Sequence, residues 1–395
     1  MKKILIINPY MNIGGVEKSL ISLLNIFDKE KYSIDLLLLE RNGELLKFIP
    51  KHVNIIELPV RKNTFECLKK GNKYALKELL LKKHIWSFLK LLIALLSVKI
   101  IKNQECYSKF IFKSNNNKYD YIFNYPGPHE ITSILAENVY QSPQKYIWVH
   151  NEYAKSGRNP KIHWRHYKKY QKIFCVSKAC ENELKNSFPK IENKIFTLYN
   201  IIDKNIIIQM GKEHIEEKDF YEKNNELVLL SVGRLSYQKG FDMAIEVCKD
   251  ILDKGYKLKW YIIGNGEEKD SLTNMIIKFG LEDNMILLGS KINPYPYFSL
   301  CDIYIQPSRF EGYGITVAEA KIFNKPIVCT NFAGAEDQII NNETGIIVNF
   351  SKNELSNAII NIIKDNDLRN SLIKNLENLQ SKELKHTVGL LDYMR

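Results

Sequence analysis

The chain has 395 residues, a length that excludes a single typical domain. Of these residues 45% are hydrophobic and 26% are charged, which is the composition of a globular protein with substantial cores. Two domains of about 150–200 residues each are therefore expected. The net charge of +12 favours an anionic partner, whether a polyanion, an anionic lipid or a phosphorylated substrate, and it says nothing about the fold.

Two features of the sequence bear on the cellular compartment. The seven cysteines are scattered without a CxxC pair, which favours a reduced cytosolic protein with small buried thiols over disulfides or a zinc site. The opening MKKILIINPYMN has an apolar run too short for the core of a signal peptide, and it predicts a first β-strand instead. We therefore expect a cytoplasmic protein.

The first half of the chain alternates short apolar runs with helical patterns. After the first run, a Gly-Gly turn leads into a helix with Leu20, Leu23, Leu24 and Phe27 on one face. Further strands are predicted, in chain order, at YSIDLLLLE, VNIIEL, YDYIFNY, KYIWVH, KIFCVS and KIFTLYN. Apolar runs of this length separated by helices indicate βα units and a mostly parallel sheet.

A charged stretch without an apolar face, residues 200–225, is predicted to connect this half to a second βα series. The strands of that series are predicted at LVLLSVG, LKWYIIG, MILLG, DIYIQP, PIVCT and GIIV. The expected fold is α/β, with two Rossmann-like doubly wound domains that face each other across a ligand-binding cleft. We expect the first domain over residues 1–205, the second over 206–375, and a helix over 376–395 that packs back on the first domain.

One segment, residues 68–118, holds most of the excess charge and is called the Lys-rich segment below. It has twelve lysines against two acidic residues. Its apolar run, residues 85–101, contains Lys90 and Lys99 and is too short to span a membrane. An interfacial helix attracted to anionic lipid fits this composition, and so does a buried helix whose lysines reach outward to water.

Two loops that follow predicted strands carry candidate phosphate-binding groups. In VGRLSYQKG, Arg234 and Lys239 lie between a strand and a helix, where two cations can neutralise a diphosphate, although exposed charges are common in such loops. The run IIGNGEEKDSL is similar to a GxGxxG loop, but Lys269 replaces the third glycine. A tight strand-to-helix turn therefore explains its glycines better than a dinucleotide site does.

The sharpest signal is the stretch QPSRFEGYGITVAEA. Gly312 and Gly314 remove side chains from the loop, and a helix predicted to begin near Ile315 aims its unpaired N–H groups at the loop, which suits phosphate. Because helical side chains lean toward the N-terminus, Glu319 can reach back to the ligand that Glu311 approaches from the loop. Two carboxylates beside an anion site describe a pocket for a sugar nucleotide. The simpler alternative is that acidic residues near the start of a helix stabilise the helix dipole. This explains Glu319 less well, because the stabilisation is small for a residue in the second turn.

In this order, the motifs resemble those of a large group of retaining GT-B enzymes, glycosyltransferase family 4, which use sugar-nucleotide donors. IGGVEKSL is similar to the group's amino-terminal GG-x-E segment, and KIFCVSKACENEL with KIFTLYNIID is similar to its stretch between the domains. VGRLSYQKG resembles its diphosphate-binding loop, and EGYGITVAE resembles its E-x7-E motif. The resemblance covers nearly the whole chain and departs only in the Lys-rich segment, a part that varies with the acceptor in this group.

The resemblance implies that four side chains hold the donor. Arg234 and Lys239 would bind its diphosphate and stabilise the charge that develops on the leaving group. Glu319 would bind the ribose hydroxyls, and Glu311 would contact the transferred sugar. In the retaining reaction implied, the acceptor hydroxyl attacks from the face that the leaving group vacates, and a phosphate oxygen of the donor takes its proton. Neither glutamate is then required as a general base.

The resemblance also implies a role for five further residues. The backbone of Tyr313, Gly314 and Ile315 would complete the donor pocket, and Gly15 would let the first domain approach the diphosphate. His150, at the end of KYIWVH, would lie near the transferred sugar, although a lone histidine after a strand is more often structural. No metal ion or other cofactor is expected, because the two cations would take the place of a divalent ion.

The partners implied are a nucleoside-diphosphate sugar, with UDP as the common nucleotide of the group, and a hydroxyl of a growing glycan. We expect a lipid-linked glycan of the bacterial surface, such as a capsule or a lipopolysaccharide. The Lys-rich segment prompts the expectation that the protein attaches peripherally to an anionic membrane surface, the inner face of the cell membrane.

Two other classes of protein stay open at this point. A GT-B-like sugar-nucleotide epimerase, or a non-catalytic sugar-binding relative, would share the fold and the donor pocket. A basic nucleic-acid-binding protein would explain the net charge of +12. Its lysines lack interleaved aromatic platforms or a known binding module, however, so we expect no nucleic-acid partner.

Overall fold

The computed structural model describes residues 1–58, 72–81, 84–96, 112, 117–128, 130–153, 160–221, 226–382 and 389–394. The chain divides into two compact units. The first unit comprises Met1–Val149, Asn159–Phe174 and Phe188–Phe196. The second unit comprises His150–Arg158, Cys175–Ser187 and Thr197–Arg395.

The first unit is built on a seven-stranded sheet, and all seven predicted strands are confirmed. The strands are β1 (Lys2–Asn8), β2 (Tyr32–Leu38), β3 (Val53–Ile56), β4 (Tyr121–Asn124), β5 (Gln144–Val149), β6 (Lys172–Cys175) and β7 (Ile195–Thr197). They lie in the order β3-β2-β1-β4-β5-β6-β7, and β1 runs parallel to both of its neighbours. The four apolar residues of β1, Ile4 to Ile7, are fully buried because this central strand is covered on both faces.

Helices alternate with these strands. They are α1 (Gly15–Asn25), α2 (Asn72–Leu81), α3 (Ile85–Leu96), α4 (Glu130–Ile134) and α5 (Pro160–Tyr167). The predicted inner face of α1 and the turn after it is confirmed, since Leu20, Leu23, Leu24 and Phe27 are buried. In α1 these residues recur every three to four positions, which is the spacing of one helix face.

The Lys-rich segment contributes α2 and α3. Its other parts, residues 68–71, 82–83, 97–111 and 113–116, lie outside the described residues. The helix α3 has 12 residues, and within the described parts of the chain no helix is long and apolar enough to cross a bilayer.

The second unit is built on a six-stranded sheet, again with all six predicted strands confirmed. The strands are β8 (Leu227–Val232), β9 (Leu258–Ile263), β10 (Met285–Gly289), β11 (Ile303–Gln306), β12 (Ile327–Thr330) and β13 (Ile346–Val348). Their order is β10-β9-β8-β11-β12-β13, and every neighbouring pair runs parallel. The strand order reverses direction between β8 and β11, and in such sheets ligands bind beyond the carboxyl ends of the strands at this point.

The second unit also contains helices. They are α6 (Lys178–Ser187), α7 (Lys204–Met210), α8 (Phe241–Asp253), α9 (Lys269–Phe279), α10 (Tyr295–Leu300), α11 (Ile315–Ile322), α12 (Ala335–Gln338), α13 (Lys352–Lys364), α14 (Asn366–Lys382) and α15 (Gly389–Asp392). One apolar cluster joins α8, α9 and α13 to the sheet, and a second joins α7, α10 and α11 to its other face. The predicted pair of doubly wound α/β units is therefore confirmed. The domain limits and the packing of residues 376–395 stay predictions, and α14 and α15 are grouped with the second unit.

The stretch predicted as a connection, residues 200–225, contributes to the second unit's core. Ile207, Ile215 and Phe220 are buried there, although charged residues surround the last two in the sequence. Three apolar side chains at irregular spacing form no helical stripe, so the sequence pattern concealed their burial. Residues 222–225 of this stretch lie outside the described residues.

The burial of α13 gives a test of the second core. We expect Ile359→Ala, at a fully buried position of α13, to lower the free energy of unfolding by about 2–5 kcal/mol, since it removes buried methyl groups and leaves a cavity. Ile277→Ala on α9 is the matched control, because Ile277 is 55% exposed and should change stability by about 0.5 kcal/mol or less. Urea unfolding of both variants measures the difference, and equal losses would contradict the assigned core.

Candidate functional site

Two loops meet at the point where the second sheet reverses its strand order. Strand β8 pairs with β11, so the loop after β8 (residues 233–240) and the loop after β11 (residues 307–314) leave the same edge of the sheet side by side. They touch at Gly240, where a Cβ atom would lie 2.1 Å from the carbonyl oxygen of Pro307. Gly240 also has φ +67°, so glycine is required there for both its conformation and the close approach.

This contact brings two of the predicted site residues together. The Lys239 ammonium group forms an ion pair with the Glu311 carboxylate, and both side chains are mostly buried. The aliphatic part of Lys239 runs over Gly233, where a Cβ atom would lie 2.9 Å from it. Arg234 lies in the same loop and is exposed. The loop after β8 therefore presents one cation that is held by Glu311 and a second cation that faces solvent.

Buried polar side chains orient the Glu311 carboxylate. Ser308 Oγ donates to Glu311 Oε1 at 3.0 Å, and Gln306 Nε2 donates to Ser308 Oγ at 2.7 Å. Gln306 is in turn fixed at its Oε1, which accepts hydrogen bonds from Tyr304 OH at 2.5 Å and from Thr316 Oγ1 at 2.8 Å. This chain of hydrogen bonds runs from inside the sheet to the loop. Sequence reasoning missed it, although a glutamine that ends an apolar strand, followed by Ser308, was a usable signal.

Arg309 fastens the loop after β8 from the other side and was also missed. Its two terminal nitrogens, Nη1 and Nη2, donate to the Asp242 carboxylate at 2.8 and 2.6 Å, and Nη1 also donates to the Tyr237 carbonyl oxygen at 2.9 Å. The guanidinium carbon lies 4.0 Å from the centroid of the Tyr237 ring and 4.7 Å from that of the Phe350 ring. Burial alone would raise the pKa of Asp242, but the hydrogen bonds from Arg309 outweigh it and lower that pKa. A bidentate pair of this kind fixes orientation as well as charge.

Glu319 lies inside the second unit on α11. Its side chain is 1% exposed, and Tyr295 OH donates a hydrogen bond to its Oε1 at 3.0 Å. Burial, together with the neighbouring Glu319 carboxylate, raises the pKa of Tyr295 far above its ordinary value. Tyr295 therefore stays a neutral donor and holds the Glu319 carboxyl group in one orientation.

The helix α11 begins as predicted, at Ile315, with Gly314 as its N-cap residue in the left-handed conformation. The carbonyl oxygens of Tyr313 and Gly314 both accept hydrogen bonds from the side-chain amide of Gln338, which is almost completely buried. The first N–H groups of a helix have no acceptor within it, so those at this end remain available to a ligand. Gln338 lies 24 residues beyond Gly314 in the sequence, and no motif pointed to it.

The glycines of IIGNGEEKDSL pack against the loop after β8. A Cβ atom on Gly264 would lie 1.8 Å from the carbonyl oxygen of Gly233. Leu235 N donates to the Asn265 carbonyl oxygen at 3.0 Å, and Glu268 N donates to the Leu235 carbonyl oxygen at 3.0 Å. The interpretation as a tight turn that needs glycine is confirmed, and the turn supports the loop that holds Arg234 and Lys239.

His150 belongs to the second unit although it directly follows β5. Its carbonyl oxygen lies against Gly312, where a Cβ atom would be only 2.0 Å away. Cys180 Sγ on α6 donates to the carbonyl oxygen of the same glycine at 3.6 Å. The backbone of His150 therefore touches the loop that contains Glu311. Gly15 is the first residue of α1, in the first unit.

A buried carboxylate anchors α6, which supports the glycine loop. Glu181 Oε2 accepts a hydrogen bond from Lys178 Nζ at 2.9 Å and one from Thr197 Oγ1, while its Oε1 pairs with Lys185 Nζ at 2.7 Å. Burial alone would raise the pKa of Glu181, but the hydrogen bonds from Lys185, Thr197 and Lys178 outweigh it and lower that pKa to about 2. The ionised form is therefore strongly favoured in the folded protein.

A family model covers the part of the chain that contains this site. Residues 213–379 match the family model described as Glycosyl transferases group 1. The matched range lies within the second unit, and it includes Arg234, Lys239, Glu311 and Glu319.

Two curated relatives are similar to this chain over about half of their length. The capsular polysaccharide biosynthesis glycosyltransferase CapM of Staphylococcus aureus is 29% identical over 206 residues, 51% of this chain and 54% of CapM. The N-acetylgalactosamine-N,N'-diacetylbacillosaminyl-diphospho-undecaprenol 4-alpha-N-acetylgalactosaminyltransferase of Campylobacter jejuni is 31% identical over 205 residues, 51% of this chain and 53% of that protein. The chain thus spans about half the length of these two relatives.

Solved structures are similar over almost the whole chain. Anabaena Alr3699/HepE, in complex with UDP and glucose, superposes with a TM-score of 0.68 at 18% identity, over 96% of this chain and 95% of that one. S. aureus TarM, in a complex that contains UDP, gives a TM-score of 0.68 at 17% identity, over 97% of both chains. The chain has the GT-B fold. At this level of identity the likeness shows the fold alone.

The lowered pKa of Glu181 predicts how stability depends on pH. Its folded-state pKa of about 2 lies below the ordinary value of 4.5, so the ionised form stabilises the fold above that ordinary value. This contribution is lost as the pH falls from about 5 towards 2. In urea unfolding, the free energy of unfolding of Glu181→Gln should therefore fall less than that of the wild type as the pH is lowered over this range. Glu343→Gln, at an exposed position, is the control and should follow the wild type. Identical slopes for wild type and Glu181→Gln would contradict the assignment.

Proposed function

We propose that this protein is a retaining glycosyltransferase, which moves a sugar from a nucleoside-diphosphate sugar to a hydroxyl of a growing glycan. The observation that carries the proposal is the junction at the β8–β11 switch point. There Lys239 pairs with Glu311 beside Arg234 and the start of α11, within the range that matches the glycosyl transferase family model. Cations, a helix start and oriented carboxylates together bind phosphate and hydroxyl groups.

In the proposed complex the diphosphate lies between the loop after β8 and the start of α11. Arg234 and Lys239 neutralise it, and the backbone N–H groups of Gly314 and Ile315 donate to its oxygens. As the bond to the sugar breaks, negative charge grows on the leaving diphosphate. Groups already aimed at that position stabilise the transition state more than the ground state.

The two glutamates bind hydroxyl groups in this proposal. Glu311 accepts a hydrogen bond from Ser308 and forms an ion pair with Lys239. These contacts orient its carboxylate, which can then accept a hydrogen bond from a sugar hydroxyl. Glu319 binds the ribose hydroxyls, and the hydrogen bond from Tyr295 OH to Glu319 Oε1 holds the carboxyl group in place. The proton of the acceptor hydroxyl goes to a donor phosphate oxygen, on the face from which the acceptor attacks. His150 lies near the transferred sugar in this proposal.

The substrates proposed rest on the relatives. HepE and TarM were solved with UDP, and TarM with a GlcNAc-glycerol as well, which favours a UDP-sugar donor. The names of CapM and of the Campylobacter transferase state capsular polysaccharide and an undecaprenol-linked glycan, respectively. We therefore propose a lipid-linked surface glycan as acceptor, and a cytoplasmic reaction that needs no metal ion.

Donor binding gives the first test. We expect Arg234→Ala to weaken UDP binding by about tenfold or more, since it removes one of two cations from the diphosphate. Arg234 is exposed, so its loss should leave the fold intact. Lys239→Ala and Glu319→Ala should weaken binding as well, although each also breaks a buried contact. Calorimetric titration with UDP, GDP and ADP measures the effect.

The control for this test is Lys278→Ala, which removes an exposed cation from the last turn of α9, at the opposite edge of the sheet. It should bind the nucleotide like the wild type. Unchanged affinity in the Arg234, Lys239 and Glu319 variants would contradict the site. Anomer analysis of the product from a screen of sugar nucleotides then separates retaining transfer from epimerisation or mere binding, and EDTA tests the expected independence from metal ions.

Membrane attachment is part of the proposal and rests on the helices α2 and α3. Six large apolar side chains are exposed on them: Leu80, Leu81, Ile85, Trp86, Leu89 and Ile93. Ile85, Leu89 and Ile93 recur every four residues and form one face of α3, while Leu91 is buried on the other side. The surrounding Lys-rich segment has a net charge of +10. An exposed aliphatic face with an exposed tryptophan in a strongly cationic segment fits the boundary of an anionic bilayer.

The attachment surface can be tested without disturbing the core. We expect the double variant Trp86→Ser/Ile93→Ser, at positions 79% and 62% exposed, to bind vesicles containing phosphatidylglycerol at least about tenfold more weakly than the wild type. The wild type should bind more weakly to neutral phosphatidylcholine vesicles, which offer the lysines no negative charge. High salt should also weaken its binding to the anionic vesicles, because salt screens the attraction. Ile277→Ser on α9 is the exposed control. If the wild type sediments with neither kind of vesicle, the surface assignment is wrong.

A further inference from the structure

We infer that Gln338 is the positioning residue that aims the backbone N–H groups of the donor site, an inference that rests on the proposed function. Gln338 is the last residue of α12 and is only 3% exposed. It contacts no part of the proposed donor. Its role follows from two hydrogen bonds to the loop that leads into α11.

Gln338 fixes the direction of two carbonyl groups in that loop. Gln338 Nε2 donates one hydrogen to the Tyr313 carbonyl oxygen and one to the Gly314 carbonyl oxygen, the latter at 3.1 Å. A flipped side-chain amide would place its oxygen against both carbonyl oxygens, so the donor assignment follows from the surroundings. Both carbonyl groups therefore point towards Gln338.

The direction of the N–H groups of the same two peptides follows from that of the carbonyl groups. The described chain has no cis peptide bond, and in a trans peptide the C=O and N–H bonds point in opposite directions. The N–H groups of Gly314 and Ile315 therefore point away from Gln338. These are the groups that the proposed function assigns to the diphosphate. Gly314 is also the N-cap residue of α11, so the peptides held by Gln338 are those at the positive end of the helix dipole.

The neighbours of Gln338 hold this residue in place. Ala335 and Ile339, on either side of Gln338, are buried in the core beneath α11. Asp337, the neighbouring residue, accepts hydrogen bonds from Lys178 N at 2.8 Å and Tyr199 OH at 3.3 Å. The short helix α12 is thus held on two sides, and Gln338 transmits that fixed position to the loop. A loop with Gly312 and Gly314 has little stiffness of its own.

The test is nucleotide binding by Gln338→Met, which keeps the volume and removes both hydrogen bonds. Using whichever of UDP, GDP and ADP the wild type binds, we expect the Kd of the diphosphate to rise about tenfold or more. The Kd of the parent nucleoside, which has no phosphate, should change less than about twofold. A loss that was merely structural would weaken both ligands alike.

A second variant, Gln338→Glu, adds a pH readout. The ionised carboxylate has no hydrogen to donate and repels both carbonyl oxygens, whereas the protonated form regains one O–H donor. Diphosphate binding by Gln338→Glu, relative to the wild type at each pH, should therefore improve as the pH falls from about 8 to about 5. Ser356→Ala, which removes a fully buried hydroxyl between α13 and α8, is the control for general loss of stability and should bind normally.

The outcomes separate this inference from the proposed function. If the wild type binds a nucleoside diphosphate and Gln338→Met binds it equally well, the positioning role is wrong and the proposed function stands. Equal weakening of nucleoside and diphosphate, or a flat pH profile for Gln338→Glu, also overturns the positioning role. If the wild type binds none of the three diphosphates, the donor site itself is wrong and the role of Gln338 is lost with it.

Discussion

The close approach of two loops at Gly240 is the constraint on which the candidate site depends. Strands β8 and β11 are neighbours in the sheet although seventy residues separate them in the chain, and parallel pairing sends both loops from the same edge. A side chain at Gly240 would collide with the Pro307 carbonyl oxygen. The loops would then separate, and Lys239 would be drawn away from Glu311. The arrangement of charges in the site therefore depends on a glycine, which has no Cβ atom, at position 240.

Around this junction, the residues divide into those that offer groups to a ligand and those that hold them. Arg234 and the start of α11 offer a cation and N–H groups, whereas Arg309 and Gln338 hold the backbone behind them. Both residues donate hydrogen bonds to backbone carbonyl groups of the loops, and Arg309 is itself held by the Asp242 carboxylate. Preorganised donors of this kind need no reorganisation when charge develops on a bound ligand.

The sequence predicted the parts of the fold and site that depend on local pattern. Buried parallel strands appear as short apolar runs, and a strand, a glycine loop and a helix in succession predict an anion site without tertiary information. Gln338 and the burial of Phe220 could not be predicted in this way. Gln338 acts on a loop 24 residues away, and Phe220 joins a core formed by elements that follow it in the chain. Such contacts depend on tertiary packing, which leaves no periodic signature.

The distribution of charge favours lipid over nucleic acid as the anionic partner that we propose. The Lys-rich segment accounts for +10 of the net +12, so the rest of the chain is nearly neutral. A nucleic-acid surface needs cations along a phosphate backbone and aromatic platforms for bases, and an aliphatic face has no partner there. The described part of this segment instead exposes Ile85, Leu89 and Ile93 as one face of α3. Such a face would gain free energy beside acyl chains beneath anionic head groups, and this is the reason for proposing a bilayer surface as the partner.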